Sequence, residues 1–276
     1  MARPRHSKKK RARTRGDLLE RTVDARSPHF NMALARGVAV LRAFEIDDQF
    51  LGNTEISQRT GVPKPTVSRL THTLTELGYL SYREEVGKYE LAPGILGLAY
   101  PYLANMPVPA IARPFMNELA KSTQANVGLA ILDGLGAVYL EYALGEPHDI
   151  NRRQRVGFRL PLARTATGRA CIAAMNPEQL ERTLERLREA YPDEWHLLRD
   201  EIDDAITQVR VRGYCIVAGT YGRTTNMVAV PFPLQDGRTI LAFNCGGHAK
   251  VHTSKKLVQY GARLVELARA VRRELR

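Results

Sequence analysis

Residues 53–77, NTEISQRTGVPKPTVSRLTHTLTEL, constrain the fold of this chain more than any other stretch. The pattern predicts a short helix, a turn at Gly61 and a second helix opening at Pro63 and Pro65. Glycine takes the left-handed conformation that ends a helix, and proline is tolerated in a helix's first turn. In the second helix Val67, Leu70, Leu74 and Leu77 recur at helical spacing and make one apolar face. The other face carries Lys64, Pro65, Thr66, Ser68, Arg69, His72 and Thr73. An apolar side to dock the helix, with a short, polar, basic side left over, is what a helix needs to enter a DNA major groove. Paired helices joined by a turn also occur in ordinary bundles, so the flanking segments decide.

Those flanks read as a helix over 31–44, a polar connection over 45–52, and a hairpin after the second helix. Leu34, Val38, Leu41 and Ala43 or Phe44 are the expected buried side of the first helix, and Asn53 or Thr54 the expected cap of the next. Gly78 ends the second helix, and YLSYR and KYEL alternate as strands about the turn EEVG. A helix, a helix-turn-helix and a hairpin, in that order, describe a winged helix-turn-helix over residues 28–92. Arg83 and Lys88 flank the wing tip, either touching phosphates or a minor groove, or as solvated residues of an edge hairpin.

With 276 residues the chain has room for two domains of ordinary size, and 44% hydrophobic content supplies their cores. The net charge of +12 favours a polyanionic partner, but it is unevenly placed. Residues 1–27 hold ten Lys or Arg against three Asp or Glu, so +7 sits there and +5 on the remainder. That arm should be disordered; it either follows DNA phosphates or simply solubilises the chain. No apolar run reaches the roughly 18 residues of a membrane span, and the N-terminus lacks the apolar core of a secretory signal. Three cysteines in apolar contexts, Cys171, Cys215 and Cys245, suit small buried residues in a reducing compartment. A cytoplasmic protein is expected.

Beyond the wing, a linking helix with Pro101 within it is expected over 93–106, with a domain boundary near Asn105. Residues 107–276 then alternate helices with strands at about 126–132, 137–143, 156–160, 214–217, 227–232 and 239–245. The asparagine, proline and glutamine of Asn176-Pro177-Glu178-Gln179 form a helix start. A closing helix over 254–273 turns Leu257, Gly261, Leu264, Ala268 and Val271 inward. The class is α+β with a largely antiparallel sheet. In PLARTATGRA the chain leaves a strand and opens a helix whose first turn has no bulk. Free amides and the positive end of the helix dipole suit a carboxylate there, though small residues also serve close packing.

Taken together, VPKPTVSRL at 62–70, LGY at 77–79, GKY at 87–89, LPL at 160–162, TATGRA at 165–170, RGY at 212–214 and VAVP at 228–231 resemble the IclR family of bacterial transcriptional regulators, over about residues 32–275. The resemblance implies a GAF-like C-terminal domain that binds a small, often carboxylate-bearing metabolite, and assembly as a homodimer or homotetramer. It also implies effector contacts at Ala166, Thr167 and Gly168, then at Val217, Met227, Asn244 and Gly246. Several family positions differ. Val217 and Ala218 replace an acidic pair, Met227 a cysteine, Asn244 and Gly246 a serine pair, and Ala163 a histidine. The pocket should therefore be more apolar than one made for a very small keto acid. An aromatic or medium-sized acid is expected, with Asn244 as polar handle.

Other chemistry has weaker support. Cys245, His248 and His252 resemble part of a zinc site but offer only three ligands. No nucleophile elbow is present, and Trp195 and His196 read as packing at a helix start. Neither enzyme activity nor a cofactor or resident metal is expected. The expected partners are double-stranded DNA bearing a pseudo-palindromic operator, a small acid, and further copies of the chain, but no membrane. Repression and activation stay equally open.

Overall fold

The computed structural model describes residues 28–145, 154–219 and 224–275; the basic arm, residues 1–27, lies outside the described residues. The chain divides into two compact units between Tyr102 and Leu103.

The first unit contains α1 (Met32–Arg42), α2 (Asn53–Thr60), α3 (Lys64–Glu76), β1 (Leu80–Arg83) and β2 (Lys88–Leu91). Val40, Ala43, Leu51, Ile56, Val62, Val67, Leu74 and Leu80 form its core. Three local expectations need correction. In α1 the inward stripe is Val40 and Ala43, while Leu34 and Val38 are exposed. At 3.6 residues per turn these two stand roughly 120° and 160° round the axis from Val40. In α3 Leu77 is 61% exposed, and the inner face is completed by fully buried Thr71, whose hydroxyl reaches Asn53 Oδ1 at 3.2 Å. The cap of α2 is Gly52, whose N–H donates to Glu55 Oε2 at 2.7 Å, so Asn53 is spent on Thr71. The connection before α2 hides a buried residue. Leu51 exchanges two backbone hydrogen bonds of 2.9 Å with Tyr89 and ties the connection to the wing.

α4 (Gly94–Ala104) follows, with Pro101 inside it and no buried residue. The second unit is built from α5 (Pro107–Thr123), β3 (Asn126–Asp133), β4 (Gly136–Ala143), β5 (Arg159–Pro161), α6 (Ala166–Ala173), α7 (Pro177–Ala190), α8 (Trp195–Arg212), β6 (Cys215–Ala218), β7 (Thr225–Pro233), β8 (Ile240–His248) and α9 (Ser254–Glu274). Among the described residues its six strands lie in the order β5-β4-β3-β8-β7-β6, every neighbouring pair antiparallel. β5 begins later than expected because Gly157, at φ +87°, turns the chain first. The expected start of α7 is present, with Asn176 and Gln179 exchanging side-chain-to-backbone hydrogen bonds of 3.1 and 2.8 Å.

Alternation along the strands gives the sheet two apolar faces. Val127, Leu129, Val228, Val230, Phe232, Leu241, Phe243 and Cys245 pack against α5 and α9. Leu257, Leu264, Ala268 and Val271 of α9 are buried there as expected. Cys215, Val217, Ala229, Ile240 and Ala242 face α6 and α8 instead. Strict alternation fails once. The β3–β4 register shifts after Leu129, leaving Leu140 as an extra residue between Tyr139, opposite Ala130, and Glu141, opposite Leu129. Such a bulge reverses the phase of all that follows. It lets Tyr139 and Tyr142 share one face, their rings 4.9 Å apart.

Candidate functional site

Two places in the molecule bring together residues singled out by the sequence. The first is the outer side of α3. Val67, Thr71 and Leu74 hold the helix down, and Lys64, Pro65, Ser68, Arg69 and His72 are exposed, with Thr66 half-buried. Pro63 precedes the helix and Pro65 occupies its first turn, so the start costs no hydrogen bond. α2 is clamped to its surroundings by Arg59, which pairs with Asp48 and donates to the Ala43 carbonyl at 2.8 Å. Its guanidinium is held charged chiefly by the Asp48 hydrogen bond, which raises its pKa. The two wing residues are engaged within the unit. Arg83 pairs with Glu90 at 2.6 Å across the hairpin, and Lys88 with Glu55 at 2.8 Å at the start of α2. That second pair, with the Gly52 N–H, lowers the Glu55 pKa.

The second place is a pocket in the larger unit, on the sheet face that carries α6. It is lined by Tyr139, Gln154, Leu160, Thr165, Ala166, Thr167, Val217, Thr225 and Met227, and encloses about 370 Å³ of non-atom space, part of it open to solvent. Of the seven positions carried over from the resemblance, Ala166, Thr167, Val217 and Met227 line it. Gly168, Gly246 and Asn244 do not. Gly168 lets α6 approach the preceding loop, since a Cβ there would stand 2.1 Å from the Leu162 carbonyl oxygen. Gly246 lies opposite Met227 in the ladder, where a Cβ would come within 2.7 Å of the Met227 sulfur. Asn244 is fully buried behind the wall and donates to Thr167 Oγ1 at 2.8 Å and to Tyr139 Oη at 3.0 Å.

The start of α6 supplies the polar character of this wall. Thr165 caps the helix, its hydroxyl oxygen accepting from Gly168 N–H at 3.1 Å, and Arg169 N–H reaches the Thr165 carbonyl. The amides of Ala166 and Thr167 have no partner among the described residues, as first-turn amides of a helix commonly lack one. Among the described residues no Asp, Glu, Lys or Arg lines the pocket. Arg169, the nearest cation along the helix, is buried and turned away, donating to the Ala163 carbonyl at 2.8 Å and pairing with Glu201. Tyr139, Gln154, Leu160, Thr165 and Thr225 were not among the positions singled out. Tyr139 precedes the bulge and faces the pocket by regular alternation with Ala137, and Thr225 is the first residue of β7.

The two units match known families in the same order. Residues 33–84 match the IclR helix-turn-helix domain and residues 100–273 the IclR C-terminal domain of bacterial transcriptional regulators. The chain belongs to the IclR family of transcriptional regulators. It is 31% identical to the Pca regulon regulatory protein of Pseudomonas putida over 84% of this chain and 79% of that one. Among solved structures, an IclR-family transcriptional regulator from Brucella abortus is 40% identical, with a TM-score of 0.80 over 94% of this chain and 98% of that one. An IclR homologue from Microbacterium hydrocarbonoxydans, solved in complex with 4-hydroxybenzoate, shares the fold at 22% identity and a TM-score of 0.70, over 88% and 98% of the two chains.

This IclR-family regulator thus carries a helix-turn-helix DNA-binding domain and the family's C-terminal domain. Within it, Cys245 faces the α9 side of the sheet and His248, an odd number of residues away on the same strand, the other. Among the described residues no three of His, Cys, Asp or Glu converge. Cys171, Cys215 and Cys245 are buried free thiols, each pushed up to about 12 by burial, and so are held as thiols. Trp195 and His196 open α8. Among the described residues no single helix is long and apolar enough to cross a membrane.

Proposed function

We propose that this regulator is switched by a small organic acid, aromatic in class, bound in the pocket at the start of α6, and that it reads a pseudo-palindromic operator as a symmetric oligomer. The observation that carries the effector class is the pocket wall: among the described residues the amides of Ala166 and Thr167 have no partner and no charged side chain lines the pocket. A carboxylate gains there from oriented N–H groups and from the positive end of the helix. The remaining lining, Leu160, Val217, Met227 and the Tyr139 ring, offers apolar surface that a two-carbon or three-carbon acid would leave unused. The Microbacterium homologue with 4-hydroxybenzoate is an instance of this fold holding an aromatic acid.

On the DNA side Arg69 is the base-reading residue, because exposed arginine pairs bidentately with guanine. Thr66, Ser68 and His72 contribute further contacts, and Lys64 positions on phosphate. Exposed apolar side chains on α1 and α4, among them Leu34, Leu96 and Leu98, support association with a second copy. A ligand that favours one arrangement of two DNA-binding units would be coupled to operator affinity by about 1–3 kcal/mol. Calorimetry with glyoxylate, pyruvate, benzoate and 4-hydroxybenzoate tests the effector reading. Binding of an aromatic acid is the expected result, and binding confined to the keto acids sinks it.

A further inference from the structure

Asn244 sits mid-strand in β8 with no exposed surface, yet it is polar and touches two pocket-lining residues. Its Nδ2 donates to both Thr167 Oγ1 and Tyr139 Oη. Its Oδ1 is buried without a partner. That oxygen is turned toward Gly128 of β3, where a Cβ would lie 3.0 Å from it and 2.3 Å from the Tyr139 ring. Glycine at 128 is therefore the seat that lets Tyr139 and Asn244 lie side by side. The reverse setting of the amide would bury two donors without partners in place of one acceptor, which is the costlier arrangement.

A hydroxyl has one hydrogen and two lone pairs. One that accepts from Asn244 must carry its hydrogen on another bearing, and both hydroxyls here belong to the pocket wall. Tyr142 acts similarly on Gln154, donating to its Oε1 at 2.9 Å and so occupying the acceptor end of that amide. We propose that Asn244 is a positioning residue that never touches the effector: by donating to Thr167 Oγ1 it turns that hydroxyl into a donor toward the pocket, so that the site accepts a carboxylate and discriminates against the isosteric carboxamide. This rests on the effector reading above, and it replaces Asn244 as a direct polar handle with Asn244 acting through Thr167, with Tyr139 sharing the amide.

The test is calorimetry on the full chain with benzoate and benzamide, which differ chiefly in whether the group offered is an acceptor or also a donor. The wild type should prefer benzoate by roughly tenfold or more, the worth of a hydrogen bond to a charged group. Asn244→Leu should erase most of that preference. In a Thr167→Val/Tyr139→Phe background, which keeps the shape of both side chains, Asn244→Leu should change the ratio less than about twofold, because coupled effects do not add. An equal loss of ratio in both backgrounds means Asn244 reads the ligand itself and overturns the proposal. Equal weakening of both ligands by Asn244→Leu, with the ratio kept, points to loosened packing and also overturns it. Should Asn244→Leu fail to fold, the Thr167→Val/Tyr139→Phe pair still decides, since an undiminished preference there is fatal. A wild type that binds benzoate and benzamide alike removes the relay alone, whereas one that binds neither removes the aromatic-acid reading as well.

Discussion

α3 and α6 are both short helices entered from a Pro- or Thr-containing turn, yet they meet the world in opposite ways. α3 buries Val67, Thr71 and Leu74 and leaves its other side in solvent, whereas every residue of α6 from Ala166 to Ile172 is buried. Base edges in a DNA groove are read by side chains that project, so recognition there is a matter of which residues a helix does not need for docking. A small acid enclosed by protein can be met by the backbone itself, and for that the helix start must be stripped of bulk. The difference teaches where each helix is vulnerable. α6 should fail through packing and α3 through chemistry.

The largest effect is therefore expected at Gly168. Alanine there would set a Cβ 2.1 Å from the Leu162 oxygen and 2.5 Å from its Cα, both backbone atoms that cannot swing aside. Gly168→Ala should cost about 3 kcal/mol or more of the stability of the larger unit, at the upper end of overpacking. Thermal unfolding measures this; a variant as stable as wild type would mean that α6 can slide and that its tight seat is unimportant. Arg69→Ala comes next and should leave stability alone. Loss of one bidentate contact weakens operator binding by about 1–3 kcal/mol per half-site. A gel shift against a specific and a scrambled operator, beside calorimetry for the effector, reads it. If specific retention survives, α3 does not read bases through this residue.

The same contrast governs how much was legible in the sequence. The spacing of Val67, Leu70 and Leu74 marks α3 because one face is wet and one dry, and periodicity measures that difference. α6 has no wet face, so its residues ATGRACIA carry no period; only their smallness and the surrounding family pattern singled it out. Errors cluster where tertiary contact overrides local pattern. Leu34 and Val38 looked like core on periodicity, but α1 is seated on Val40 and Ala43. Thr71 looked like surface, but its hydroxyl is tied to Asn53 inside the unit. Tyr142 joins Tyr139 on one face because a bulge at Leu140 re-phases the residues that follow it, which no residue pattern announces. Gly168 and Gly246, expected as ligand contacts, stand where a Cβ would strike neighbouring atoms.

Thr71 offers a gentler probe of the docking side of α3. Thr71→Val keeps the shape but removes a hydroxyl that reaches half-buried Asn53 at 3.2 Å and the Ser68 carbonyl at 3.1 Å, at a cost of about 1 kcal/mol. Chemical denaturation checks the magnitude, and operator specificity should persist in the folded fraction. A change in specificity without a change in stability would show that the inner face helps set the reading face, and the division between docking and reading would dissolve.

The smallest effect is expected where the wing meets α2. Glu55 has its pKa lowered from 4.5, first by the Lys88 hydrogen bond and then by the Gly52 N–H. A carboxylate whose folded-state pKa is depressed contributes stability that is complete above its ordinary value and lost as pH falls through the depressed one. The contribution should therefore be constant near neutrality and fade only under acid conditions below 4.5. Because both partners are about two-fifths exposed, the pair is screened by solvent and should be worth less than about 1 kcal/mol. Glu55→Gln should thus lower stability slightly at neutral pH, and the gap from wild type should close in acid. The substitution also frees Lys88 beside the wing turn. If that lysine is then drawn to phosphate, operator affinity should rise slightly and grow more sensitive to salt, as counterion release requires. An unchanged salt slope would mean that Lys88 serves the fold of the smaller unit, and that reading DNA is left to α3.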